Sequence, residues 1–106
     1  MSEIDRMIVR VFDTAVEVGD ASQATELFRT QVQPTLEAFA GCHGIEMMVG
    51  VEERSGDLVD VLAISRWDSL QAIDDAIATP DYDRAMLELR KLFRRTPIVR
   101  HFTRAG

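Results

Sequence analysis

Apolar positions along the chain follow two rhythms, one of period two and one near 3.6. The run MIVRVFD from Met7 to Asp13 is rich in β-branched and aromatic residues and predicts a strand. From about Ala21, apolar residues at Ala24, Leu27, Phe28, Leu36 and Phe39 recur near helical spacing. Pro34 lacks an N–H and biases Gln33 away from helical backbone, so this helix is expected to kink or restart there. The glycines of GCHG, residues 41–44, then close it. IEMMVGVEE and LVDVLAISRW read as two strands joined by RSGD, a hairpin signal. Asp68 with Gln71 forms a predicted capping box, while Thr79 and Pro80 are predicted as N-cap and first residue of a further helix. On that helix Tyr82, Ala85, Met86 and Leu89 share a face, which Leu92 and Phe93 extend, and TPIVRHFTR is the last strand. The order is β-α-β-β-α(α)-β. It predicts a single α+β domain over residues 1–106, ferredoxin-like, with a four-stranded antiparallel sheet and the helices on one face.

Alternation splits each strand into two sets. One set contains Met7, Val9 and Val11; Ile45, Met47, Val49 and Val51; Val59, Val61, Ala63 and Trp67; and Val99, His101 and Thr103. Being nearly all apolar, it is expected to carry the helices. The opposite set contains Ile8, Arg10 and Phe12; Glu46, Met48 and Glu52; Asp60, Leu62, Ile64 and Arg66; and Ile98, Arg100, Phe102 and Arg104. Its large apolar members would leave a monomer with a patch wider than the roughly 300–600 Å² usual on monomers. A second copy packed sheet against sheet is the simplest cover, with Arg10, Arg66 and Arg100 facing Glu46, Glu52 or Asp60, and a homodimer is therefore expected.

Composition narrows the function classes. Hydrophobic residues make up 46% of the 106, enough for one compact core. The N-terminal MSEIDRMIVRVFD mixes acids with its apolar residues and does not resemble a signal peptide or a membrane span, so a cytoplasmic location is expected. The single Cys42 fits a reducing compartment. A net charge of −6 argues against nucleic acid. The RNA recognition motif shares this order of elements, but VLAISRW lacks the exposed aromatics on which bases stack. Arg90, Lys91, Arg94, Arg95, Arg100 and Arg104 crowd the C-terminal end; they are read as complementing a helix dipole and nearby acids, with an anionic ligand or partner as the other reading.

The GCHG junction, the hairpin VEERSGDLV and the stretch ISRWDSLQAIDDAIATPDY together resemble the antibiotic biosynthesis monooxygenase (ABM) family of dimeric α/β barrel proteins, over nearly the whole chain. Its W-x-S-x-x-A signature falls on Trp67, Ser69 and Ala72. The resemblance implies a cavity between the sheet and the helices with Trp67 in its wall. It implies an activity such as cofactor-independent oxygenation of polycyclic phenols and quinols, or haem degradation. Two departures bear on this. In the oxygenases an Asn before the tryptophan and a Tyr on the next helix assist the phenol, and those spacings land on Ala63 and Ile73, which have no side-chain donor or acceptor. The haem-degrading branch uses a His on that helix and an Asn on the first strand, and SLQAIDDAIA and MIVRVFD contain neither.

Oxygen chemistry without metal or flavin needs a substrate anion, hence a base, hydrogen bonds and a dry pocket. His101, expected on the helix-facing side, is the candidate base; as a structural residue it would simply be a hydrogen-bonded histidine near a sheet end. Trp67, Tyr82, Met47 and Phe28 are candidate ligand-binding residues. Trp67 also has a purely structural reading, since with Asp68 as N-cap it would staple against Ala72. Tyr82 reads equally as core with its hydroxyl at the edge. Cys42 and His43 are too few ligands for a zinc site, and no phosphate loop, Ser-His-Asp set, HExxH or CxxC is present. Two functions follow: a cofactor-free monooxygenase acting on a small hydrophobic aromatic, or a non-catalytic dimer that binds a small hydrophobic molecule in the same cavity.

Overall fold

A computed structural model describes residues 6–106; the first five residues of the N-terminal segment, and with them part of the leader reading, lie outside the described residues. Strand β1 spans Ile8–Glu17, β2 Cys42–Arg54, β3 Leu58–Trp67 and β4 Ile98–Thr103, all antiparallel in the order β2-β3-β1-β4. Helices α1 (Ala21–Leu27) and α2 (Gln33–Glu37) lie between β1 and β2; α3 (Leu70–Ile77) and α4 (Pro80–Arg90) lie between β3 and β4. This is the expected ferredoxin-like arrangement.

The irregularity expected at Pro34 takes another form: Gln33 keeps helical backbone at φ −57°, ψ −50°, and a π-helical turn, Phe28–Val32, lies between α1 and α2, with Pro34 in the first turn of α2 where its missing N–H costs little. Phe28, Val32 and Leu36 still point to one side and join Val16, Ile45, Val59, Val61, Tyr82, Met86 and Leu89 in the main core. Thr79 caps α4 as foreseen, its hydroxyl accepting the Tyr82 N–H at 3.1 Å. The cap of α3 differs. Ser69, not Asp68, accepts the Ala72 N–H at 3.1 Å, while Gln71 turns to Asp75 and Asp68 meets Nε2 of His43 at 2.5 Å. The serine one residue later does the same chemistry, which moves Trp67 a position further from the helix and removes the staple geometry predicted with Ala72.

The face assignment of β1 is reversed. Arg10, Phe12 and Thr14 lie across from Ser65, Ala63 and Val61 of β3 and share the helix side with Val16, which is fully buried. Val9, Val11, Asp13 and Ala15 take the opposite side, so Ile8 and Phe12 are replaced there by two valines. The physical cause is the length of the strand: it continues to Glu17, and Asp13 and Glu17 share the parity of Val9 and Val11. On β2, a register shift between Val49 and Glu53 leaves Val51 94% exposed rather than on the helix side. The opposite sheet face remains apolar: Met48, Ile98 and Phe102 are each about half exposed, at 47%, 49% and 47%, beside Val9, Val11, Leu62 and Ile64. Its charges pair within the chain, Arg66 with Glu46 at 3.4 Å, Arg95 with Asp13 at 2.8 Å and Arg54 with Asp60 at 2.7 Å.

Among the described residues, five of the six C-terminal cations have an acidic partner within the chain, and Arg104 meets only the Gly106 carbonyl. Arg90 reaches Asp83, Lys91 reaches Glu88 and Arg94 reaches Glu17. These are exposed pairs, each worth roughly 0–1 kcal/mol. No described helix is long and apolar enough to cross a membrane.

Candidate functional site: a cavity between sheet and helices

The sheet supplies the floor of an enclosed cavity: Phe12 and Thr14 from β1, Ile45 and Met47 from β2, and Val61, Ala63, Ser65 and Trp67 from β3. The roof comes from Phe28 and Val32 of the π-helical turn, Leu36 of α2, Ile77 at the end of α3, and Tyr82, Met86 and Leu89 on α4. Phe93 closes one side, its ring tilted 51° to that of Phe12 at 5.7 Å between centroids. The cavity volume is about 40 Å³. One water needs roughly 10–15 Å³ on that scale, so the space holds a few waters. A two-ring ligand requires Met47 and Met86 to give way, which unbranched thioether side chains do readily.

The polar groups on this apolar surface lie in one row. Ser65 on β3 stands directly opposite Arg10 on β1, and Arg10 stands opposite His101 on β4. Directly opposed residues across antiparallel strands bring their Cβ atoms to about 4.5–5.5 Å on the same face. The Arg10 guanidinium donates from Nη1 to Nε2 of His101 at 3.1 Å. A guanidinium has no acceptor, so Nε2 contributes its lone pair and the imidazole is neutral with its proton on Nδ1. Loss of water and the Arg10 charge both hold His101 below the ordinary imidazole range, against a smaller opposite effect of Asp74. Arg10 lines the cavity, whereas His101 stands behind it, largely exposed at the edge of the sheet.

Trp67 is 1% exposed and packs on Ile73 and Ala76 of α3, with Ile8, Phe39 and Ala72 around it. Burying such side chains contributes about 1.5–3 kcal/mol each. Trp67 thus serves as cavity wall and as the plug that seats α3 on the sheet. Its indole N–H donates to Ser65 Oγ at 2.8 Å, and Ser65 is itself only 3% exposed. Thr14 is committed elsewhere, donating from Oγ1 to the Arg95 carbonyl at 2.6 Å.

Of the candidate residues, Trp67, Tyr82, Met47 and Phe28 all line the one cavity, and His101 adjoins it through Arg10. Ala63 is part of the floor, and Ile73 packs against Trp67 without lining the space. Sequence reasoning missed Arg10, placed on the wrong face, and Ser65, placed on neither. Ser65 was findable, since it falls midway between Ala63 and Trp67 at the same parity. Burial pushes the Cys42 thiol up, so it is not a poised nucleophile. Among the described residues no group of three or more His, Cys, Asp or Glu could hold a metal ion.

Fold and site define a ferredoxin-like α+β domain that encloses an apolar cavity floored by its sheet, with a short polar row crossing that floor. The chain belongs to the antibiotic biosynthesis monooxygenase (ABM) family, whose profile matches residues 7–87. Among solved structures it is similar to a candidate antibiotic biosynthesis monooxygenase from Bordetella bronchiseptica, with a TM-score of 0.76 and 18% identity over 94% of this chain and 98% of that one. It is similar also to SnoaB, a cofactor-independent oxygenase from Streptomyces nogalater solved as an asparagine-to-alanine variant, with a TM-score of 0.73 and 22% identity over 95% of each chain. A conserved protein from Methanosarcina mazei Go1 matches at a TM-score of 0.71 and 14% identity over 97% of both chains. At these identities the likeness establishes the fold. No curated protein matches the sequence.

Proposed function

We propose that the protein is a cofactor-independent monooxygenase acting on a small hydrophobic aromatic of the phenol or quinol type. The observation that carries this reading is the placement of one cation, Arg10, in the floor of an otherwise apolar cavity with a neutral imidazole directly behind it. Dioxygen reacts slowly with a neutral phenol and faster with the electron-rich anion, so the protein's task is to make and hold that anion in a dry space. As substrate enters, Arg10 turns from His101 to the phenol oxygen. His101 Nε2, released from the guanidinium, takes the phenolic proton by way of one bridging water, since it stands behind Arg10, and the guanidinium pairs with the phenolate. In an anthrone-type substrate the ring CH₂ then becomes a carbonyl. It gives up four electrons and two hydrogens to O₂, one oxygen atom staying in the product and the other leaving as water. Trp67, Phe28, Met47 and Tyr82 hold the ring system.

The fold shared with a cofactor-independent oxygenase supports this assignment. Oxygen-electrode measurements with 1,8-dihydroxyanthrone and simple hydroquinones test it: uptake above the buffer rate is expected, and none with any of them refutes it. A second reading, a non-catalytic dimer that binds a small hydrophobic molecule, is favoured by the apolar Ala63 and Ile73. It predicts binding of the same compounds without uptake. Under either reading we assign a homodimer formed through the apolar sheet face, and a cytoplasmic location consistent with the free thiol of Cys42.

A further inference from the structure

We propose that the Ser65 hydroxyl is the specificity-determining donor of the cavity, giving a hydrogen bond to an oxygen of the bound aromatic; this rests on the pocket reading above. A serine hydroxyl carries one hydrogen and two lone pairs. Ser65 Oγ receives the Trp67 indole N–H on one lone pair at 2.8 Å, and among the described residues its own hydrogen is donated to no partner. The residue is 3% exposed and lines the cavity, so bulk water does not satisfy that hydrogen. A buried donor left unmade is costly, and the cavity is the one place where a partner can enter.

The geometry also fixes what Trp67 does. Its one polar atom is already used, so it offers a ligand its ring and not its N–H. By donating to Ser65 it polarises the hydroxyl and strengthens it as a donor. Ser65 is a cross-strand neighbour of Arg10, so one ligand oxygen placed above the row can receive the serine hydrogen on one side and the guanidinium on the other. The chemical class selected is therefore an aromatic bearing a phenol, phenolate or carbonyl oxygen on its ring edge, over a hydrocarbon of the same outline. Ser65 provides the hydrogen bond that the side chain at Ala63 does not.

The test is isothermal titration calorimetry with two probes of nearly equal shape, 1-naphthol and naphthalene. Wild type is expected to prefer 1-naphthol, and Ser65→Ala to cut that preference about three- to tenfold, the usual worth of one hydrogen bond. A merely structural serine would weaken both probes together and leave their ratio alone. Because Ser65→Ala orphans the indole N–H and can unfold the chain, the comparison is repeated in Trp67→Phe against Trp67→Phe/Ser65→Ala, where there is no indole N–H to orphan. Trp67→Phe should keep a preference for 1-naphthol, smaller than in wild type, and the double variant lose it. A ratio unchanged within twofold on removing the hydroxyl, or equal affinities in wild type, overturns the role of Ser65 while the pocket stands. Failure of wild type to bind either probe overturns the pocket reading and this inference with it.

Discussion

Gly41 links the first helical layer to the junction that carries Trp67, and its replacement by alanine has a calculable cost. Gly41 adopts φ +83°, in the left-handed region, and its carbonyl accepts the Asp68 N–H at 2.8 Å. An added Cβ would lie 2.8 Å from the Cβ of Ala72 on α3, closer than real Cβ contacts come. Alanine in the left-handed region costs about 1–2 kcal/mol. Ala72 has no rotamer with which to yield, so α3 must shift away from the sheet, and overpacking of this kind costs typically about 1–3 kcal/mol. The expected loss is about 2–5 kcal/mol, a large part of the roughly 5–15 kcal/mol that holds a domain together. Gly56 supplies the control: at φ +77° in the hairpin turn, it has nothing within 4 Å of an added Cβ. Gly56→Ala pays the backbone cost alone. Urea unfolding at one fixed protein concentration, followed by Trp67 fluorescence, should therefore rank Gly41→Ala below Gly56→Ala by about 1–3 kcal/mol. Equal losses would refute the close packing of Gly41 on α3 as the reason for glycine there.

Arg10→Leu should lower oxygen uptake about 100-fold, the scale for removing one charge-stabilising donor, with little change in melting temperature; a loss under threefold would remove Arg10 from the chemistry. His101 gives a pH signature. Protonation adds a cation facing Arg10 of β1 and takes away the lone pair that the guanidinium uses, with only Asp74 of α3 opposing. Because its folded pKa is lowered, the stability tied to the neutral ring is complete above the unfolded value near 6.5 and is lost as pH falls through the folded value. Urea midpoints measured from pH 8 to 5 should fall more steeply for wild type than for His101→Gln, and parallel profiles would contradict this. Phe102→Asp, half exposed on the outer sheet face, should convert a dimer to a monomer in size exclusion with light scattering. A wild-type monomer at micromolar concentration would refute the dimer outright.

Most of the fold was legible because the chain changes rhythm sharply at Gly41–Gly44, at Ser55–Asp57 and at Trp67. The faces of β1 were not. Met7, Val9 and Val11 make as good a buried stripe as Ile8 and Phe12, and Arg10 read as an outward charge. Continuing the alternation four residues further settles it: Asp13 and Glu17 fall with Val9 and Val11, while Val16 falls with Arg10 and Phe12. The cap of α3 was missed for a related reason. Asp68 and Ser69 are both good N-caps, and a contact 25 residues away, His43, draws the aspartate off.

That misreading hid the site. A buried-facing arginine contradicts the local rule that charges point outward, and such contradictions concentrate where a protein does chemistry. Once Arg10 is turned inward, three residues that are remote in sequence become one feature, because register alone aligns Ser65, Arg10 and His101 across three strands. Above and below that row the floor is apolar, Trp67 on one side and Met47, Ala63 and Phe12 on the other. An aromatic ligand lying on this floor can satisfy the row with one oxygen and bury the rest of its surface on either side. Under the proposed function, the hydrogen bonding that Ala63 and Ile73 do not offer is supplied two residues along β3, by Ser65, and across on β1, by Arg10. Anion formation needs both ends of the row, a donor pair at Ser65 and Arg10 and an acceptor at His101. Binding needs only the first, so the pH dependence set by His101 separates an oxygenase from a carrier built on the same cavity.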